Sequence, residues 1–277
     1  MEYSPKKMKH DLDKNGFKFK KKFGQNFIID ENIIKNIIRL SEIDKDTLVI
    51  EIGAGSGSLT TSLAVHAGHV ICFEIDLDLI GILDKNLEGK ENVLILFEDF
   101  LKTDLNKIIS DYEFMKHKKL YIVSNLPYYI TTPILMKIIE DKIDVDKIVI
   151  MVQKEVGNRF KALPNTKEYN SLSIFLQYYF DIKKIMDVSK NVFIPKPNVD
   201  SIVVEFNKRN KEEVPDIFFD IVKDSFKQKR KTIKNNLSNY DLVKIEKVLV
   251  RYGYDLSVRA EQLHMEVFID ISRALKS

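Results

Sequence analysis

Short runs of almost wholly apolar residues recur through the first half of the chain, at Leu48–Ile52, His69–Phe73, Val93–Phe97, Leu120–Val123 and Ile148–Val152. Their starts lie 21 to 28 residues apart. Segments with helical spacing fill three of the gaps, at Leu59–Ala67, Leu77–Leu87 and Thr132–Glu140. A strand apolar on both faces is buried on both, which is the environment of a parallel sheet covered by helices. The pattern therefore predicts βαβ units wound into a doubly wound α/β sheet. Ahead of it, Asp30 is placed to cap a helix on which Ile33, Ile34, Ile37 and Ile38 share one face. Behind it, Ile182–Val188 and Ser201–Phe206 are predicted to close the sheet as an antiparallel pair. Lys208–Val214 is charged and precedes Pro215, which reads as a linker. Helical patterns follow at Ile217–Phe226, Thr232–Leu237, Leu242–Tyr252 and Val267–Leu275. The expected organisation is an arm over 1–22, an α/β domain over 23–207 and a small all-α domain over 208–277.

Composition narrows the class without choosing a function. With 44% hydrophobic and 31% charged residues in 277, the chain is an ordinary globular protein. No apolar run approaches the roughly 20 residues a bilayer-spanning helix needs, and the N-terminal lysines precede no apolar segment. The expectation is a cytoplasmic protein with no membrane association. Cys72 is the only cysteine, which excludes an intramolecular disulfide, and the five histidines show no ligand spacing, so no metal is expected. The net charge of +3 hides an uneven distribution. Residues 1–22, which include Lys20, Lys21 and Lys22, carry +5, and residues 223–234, which include Lys227, Lys229, Arg230 and Lys231, carry another +5. The rest of the chain stands at −7. Two basic clusters on an acidic body suit a polyanion such as RNA; the bland alternative is a pair of solvated lysine-rich faces.

Ligands of a doubly wound sheet bind at the carboxyl ends of its strands. The first strand runs into Glu51-Ile52-Gly53-Ala54-Gly55-Ser56-Gly57, where three of the ten glycines fall in five positions. Such a loop turns tightly and lets a ligand approach the backbone. Its G-x-G-x-G spacing differs from a pyrophosphate-binding loop. The second strand ends at Glu74, about 20 residues on, where an acid binds ribose hydroxyls; a dinucleotide and an adenosyl cofactor both fit so far. The third ends in Glu98-Asp99-Phe100, with a carboxylate for an adenine amine and a ring for its face. The fourth ends in Asn125-Leu126-Pro127-Tyr128-Tyr129. Pro127 holds Leu126 extended, so the Asn125 amide and one or two main-chain carbonyls can face outward beside the Tyr128 ring. That group suits a nucleobase amine; the plain alternative is a strand end capped by Asn125. Glycine loop, acid, acid and Asn-Leu-Pro-Tyr in series is the layout of an S-adenosylmethionine-dependent amino-methyltransferase.

Across its length the chain resembles the small-subunit ribosomal RNA adenine dimethyltransferase family. The resemblance lies in Phe23–Phe27, the Glu51–Gly57 loop, Asn125–Tyr128, Gln153–Val156, Tyr169–Ser173, Phe193–Ser201, and Arg230-Lys231-Thr232 with Asn235-Asn236-Leu237. Asn170 stands where the family has Gly, and Ile28 where it has Leu. The resemblance implies a Rossmann-like methyltransferase domain with a helical C-terminal domain that binds RNA. It implies a monomer that dimethylates two adjacent adenosines in a hairpin loop near the 3′ end of small-subunit RNA within an assembling subunit, leaving S-adenosylhomocysteine. Carried over by position, Asn26, Ile28, Gly53, Glu74, Asp99 and Asn125 bind the cofactor, with Gly55, Gly57 and Phe100 beside them. Asn125, Leu126, Pro127, Tyr128 and Phe193 hold the target adenine, the Pro195–Pro197 segment being expected to present the Phe193 ring. Two alternatives remain: a large-subunit adenine methyltransferase of the macrolide-resistance type, and a largely non-catalytic assembly checkpoint factor.

Overall fold

All five apolar runs form strands. The computed structural model describes residues 17–20, 23–112 and 117–276. A short β1 (Phe27–Ile28) precedes β2 (Thr47–Ile52), β3 (His69–Phe73), β4 (Val93–Leu96), β5 (Lys119–Asn125) and β6 (Lys147–Gln153). After them come β7 (Phe180–Val188), β8 (Phe193–Ile194) and β9 (Ser201–Lys208). Seven strands form one sheet in the order β4-β3-β2-β5-β6-β9-β7, and β1 pairs with β8 apart from it. Neighbours from β4 through β6 are parallel, and β9 runs antiparallel to β6. The chain builds outward from β2 through β3 to β4, then returns to lay β5 on the other side of β2. The crevice for a ligand therefore lies beyond the ends of β2 and β5.

Burial follows the apolar pattern. Val49, Ile50, Ile71, Ile122, Val149 and Ile150 are buried, as two-faced strands require. On the helix Glu31–Ser41, Ile34, Ile37 and Ile38 are buried, and Asp30 caps it by accepting from the Asn32 amide. Burying an aliphatic side chain of this size contributes about 1.5–3 kcal/mol, so this short helix is held mainly by its face. The predicted helix Leu77–Leu87 is instead a 3₁₀ turn, Leu77–Leu79, followed by the helix Ile80–Asn86. Asp76 sets that break by accepting from the Asp78 amide. The helices Lys154–Phe160 and Ser171–Tyr179 were not anticipated. The second starts at a capping box, in which Asn170 accepts from the Leu172 and Ser173 amides and Ser173 answers with its hydroxyl.

The described residues pack as two compact units. One runs up to Gly157 and includes Lys183–Lys208; the other joins Asn158–Ile182 to the chain from Arg209 onward. A single cut at 207/208 leaves residues 158–182 with the sheet, whereas they pack among the C-terminal helices. Within that second unit the Tyr169 hydroxyl donates to the Leu263 carbonyl at 3.0 Å. The predicted linker is irregular but fastened there: the Tyr178 hydroxyl donates to the Glu212 carbonyl at 2.6 Å, and Arg273 pairs with the Glu212 carboxylate. No helix among the described residues is long and apolar enough to cross a membrane.

Candidate active site

The loops after β2, β3, β4 and β5 and the segment Phe23–Ile28 line one pocket in the first unit. Gly53, Gly55 and Gly57 all adopt positive φ, at 84°, 58° and 78°, so the G-x-G-x-G spacing records three left-handed backbone positions. At Gly55 a Cβ would also lie 3.1 Å from the Phe27 ring. Glu74 fastens this loop. Its Oε2 accepts from the Gly55 amide at 2.8 Å, and its Oε1 accepts from the Ile75 and Asp76 amides at 2.8 Å each. Burial pushes the Glu74 carboxyl above its usual range, and the three amides oppose that shift. Asp99 follows β4, accepts from the Leu101 amide, and lies 3.7 Å from the Lys102 ammonium. The Phe100 ring is buried, edge-on to Phe73 at 5.3 Å, so it walls the pocket rather than standing free in it.

Asn125 closes β5 with its Nδ2 donating to the Asn26 carbonyl at 2.9 Å. An amide that donates there turns its oxygen the other way, and Asn125 Oδ1 accepts no hydrogen bond among the described residues. The two candidate carbonyls differ. Pro127 O accepts from the Ile130 amide at 3.2 Å and the Thr131 hydroxyl at 3.4 Å. Leu126 O accepts no hydrogen bond among the described residues. The open acceptors are thus Asn125 Oδ1 and Leu126 O, both on residues that line the pocket. Tyr128 lines it too, its hydroxyl 2.9 Å from Ser201 Oγ.

Several sequence expectations shift. Phe193 is only 2% exposed, sits opposite Ile28 in the β1–β8 pair, and joins the core cluster of Val188, Val203 and Met151. The proline segment does not present its ring, because pairing with β1 turns that side chain inward, and Phe193 is not among the pocket-lining residues. Ile28 is buried too, yet lines the pocket. Lys20 is not a free cation. Its ammonium lies 2.6 Å from Asp76 and 2.5 Å from Asp78, while Gln25 accepts from the Lys20 amide and donates to Asp76. Lys21, Lys22 and the chain before Phe17 lie outside the described residues. Lys227, Lys229, Arg230 and Lys231 are exposed in the second unit, and Lys229 donates to the Lys167 carbonyl. Among the described residues there is no group of three or more metal-ligand side chains.

Two pocket residues lie in motifs the sequence singles out but carry no role there. Glu51 is 1% exposed, and its Oε2 has no hydrogen-bond partner among the described residues. Burial, with the charge of Glu74 adding to it, pushes this carboxyl up to about 8. The signal was a lone acid inside the otherwise apolar Leu48–Ile52 run. Tyr129 lines the pocket while remaining 57% exposed.

A mostly parallel seven-stranded sheet, with glycine loop, Glu74, Asp99 and Asn-Leu-Pro-Tyr on successive strand ends and a helical C-terminal region, defines a Rossmann-like methyltransferase fold. The chain belongs to the ribosomal RNA adenine dimethylase family, whose profile matches residues 16–277. It is 44% identical to ribosomal RNA small subunit methyltransferase A of Oceanobacillus iheyensis over 278 residues, covering 97% of this chain and 94% of the relative. Its fold is similar to a dimethyladenosine transferase from Plasmodium falciparum, with a TM-score of 0.71, 24% identity, and coverage of 88% of this chain and 95% of that one. It is also similar in fold to the 23S rRNA methyltransferase ErmE, with a TM-score of 0.67, 23% identity, and coverage of 91% and 100%.

Proposed function

We propose that this protein transfers methyl groups from S-adenosylmethionine to the exocyclic amines of two adjacent adenosines, in a hairpin loop near the 3′ end of small-subunit ribosomal RNA, as the subunit assembles. The observation that carries this reading is the open acceptor pair, Asn125 Oδ1 and Leu126 O, beside a glycine loop fastened by Glu74. The residues present fit the cofactor. Gly53, Gly55, Asn26, Ile28, Glu74 and Asp99 line the pocket, and the buried Glu51 Oε2, without a hydrogen-bond partner among the described residues, is a polar atom left for the ligand. When bound, S-adenosylmethionine supplies an electrophilic methyl on a cationic sulfur, and S-adenosylhomocysteine is left.

The rest is the work of the chain's own residues. An adenine amine is a poor nucleophile because its lone pair is delocalised into the ring. Asn125 Oδ1 and Leu126 O accept its two N–H bonds and favour a tetrahedral nitrogen, an interaction that strengthens toward the transition state. Tyr128, anchored through Ser201, gives the flipped base a wall. The excess proton leaves to solvent, and the remaining N–H still engages one acceptor for a second transfer. Lys227, Lys229, Arg230 and Lys231 offer phosphate contacts. The enzyme acts as a cytoplasmic monomer. The small-subunit assignment draws on the 44%-identical relative, whereas the likeness to ErmE is one of fold alone.

Incubation with labelled S-adenosylmethionine and undermethylated small subunits, followed by mapping of the modified nucleotides, tests the reading. Two adjacent dimethyladenosines in small-subunit RNA are expected; label confined to large-subunit RNA, or none, overturns it.

A further inference from the structure

The turn between β5 and the helix Thr131–Glu140 leaves a large aromatic ring outside the core. Tyr129 is 57% exposed, whereas Phe27, Phe73 and Phe100 around the same pocket are buried and Tyr128 is held by Ser201. Its hydroxyl makes no hydrogen bond among the described residues. The ring is nevertheless placed, since it lies against Gly24, where a Cβ would come within 3.2 Å of Cδ1 and Cε1. Gly24, at φ +57°, therefore serves as a flat seat for it. Burial, and then the charges of Asp99 and Glu74, keep the phenol above its usual range, so the ring stays neutral near phosphates.

An adenine whose amine reaches Asn125 Oδ1 and Leu126 O has left its stack and entered the pocket. The bases beside it remain at the mouth, unstacked on one face. Tyr129 stands at that mouth, three residues after Leu126, with a face to offer. We propose that Tyr129 is a further substrate-positioning residue, the platform on which the unpaired base next to the target adenosine stacks while the target is methylated. The proposal rests on the adenine-methylating function above. It gives the enzyme a place for the second of two adjacent adenosines, and it supplies the exposed aromatic surface that the buried Phe193 does not.

Base–aromatic stacking corresponds to roughly five- to hundredfold in affinity. The test compares full-length wild type with Tyr129→Ala, Tyr129→Phe and Tyr129→Leu, using undermethylated small subunits and, separately, calorimetric binding of S-adenosylmethionine. Tyr129→Ala is expected to raise KM for subunits about tenfold or more, with the loss in KM rather than kcat, and to leave cofactor affinity intact. Tyr129→Phe is expected to restore KM, and Tyr129→Leu to fall between. As an independent readout, an RNA hairpin with 2-aminopurine beside the target should be quenched on binding wild type or Tyr129→Phe, but not Tyr129→Ala. An unchanged KM in Tyr129→Ala overturns the proposal, as does equal rescue by Leu and Phe. A cofactor affinity that falls as far as the KM rises also overturns it, by assigning the ring to the cofactor site. Absence of subunit methylation by wild type strikes the functional reading instead.

Discussion

Asn125 is aimed by the bond it donates. Because Nδ2 is engaged by the Asn26 carbonyl, Oδ1 is left as the acceptor, and the Ile130 amide and Thr131 hydroxyl single out Leu126 O as its companion by occupying Pro127 O. That Asn125, Glu74 and Asp99 would line one pocket was legible because ligands gather at strand ends and polar residues there stand out against apolar runs. Phe193 was misjudged because its direction depends on which strand β8 pairs with, a long-range choice that local proline stiffness does not reveal. The acids carry a direct prediction. Asp99→Ala should weaken S-adenosylmethionine about ten- to hundredfold, the usual range for a lost hydrogen bond to a charged group. Glu74→Ala should cost at least as much, since it also frees the Gly55 amide. Calorimetric affinities equal to wild type in both variants would refute the assignment.

Among the elements, residues 17–20 and 23–28 form a strap. Lys20 and Gln25 grip Asp76, Phe27 lies over Gly55, and β1 pairs with β8. The sequence marked Lys20 only by charge, and its partner Asp76 lies 56 positions away. Burial works against the Asp76 charge, but Lys20 and Gln25 prevail and hold its carboxyl below the usual range. That contribution is therefore present above the ordinary carboxylate pKa and lost as pH falls through the lower folded value. Replacing Lys20 with Met should loosen the strap, expose it to limited proteolysis and weaken cofactor binding, with Lys20→Arg restoring both. Protection from protease identical to wild type in Lys20→Met would show that the ion pair does not hold the strap. The strands were legible as elements because apolar runs with regular spacing leave few alternatives. The break at Leu79 and the helix at Ser171 were not, since each is set by a single cap, at Asp76 and Asn170.

At the scale of the whole molecule, stability and RNA docking each give a measurable slope. Glu51 has its folded carboxyl raised to about 8, so its contribution is full below the ordinary range and declines as pH rises toward 8. The decline is at most about 1.4 kcal/mol per pH unit for one proton. Denaturant unfolding between pH 5 and 8 should show a shallower decline in Glu51→Gln than in wild type; parallel curves would mean that Glu51 titrates normally. Replacing Arg230 and Lys231 together with Ala should leave cofactor affinity alone. It should flatten the log–log salt dependence of subunit binding by roughly one unit for each phosphate no longer neutralised, and an unaltered slope would make the cluster a solvated face. The central claim is that docking and chemistry are separate, with Asn125 acting on the amine and the basic cluster on the RNA. The measurement that tests it most directly is single-turnover methylation of undermethylated small subunits by Asn125→Ala, with S-adenosylmethionine and subunits both saturating. Loss of one preorganised partner typically costs about 10²–10³ in rate, and a fall of that size with unchanged subunit affinity is predicted. A rate within threefold of wild type would contradict the account and leave Asn125 a strand-end cap.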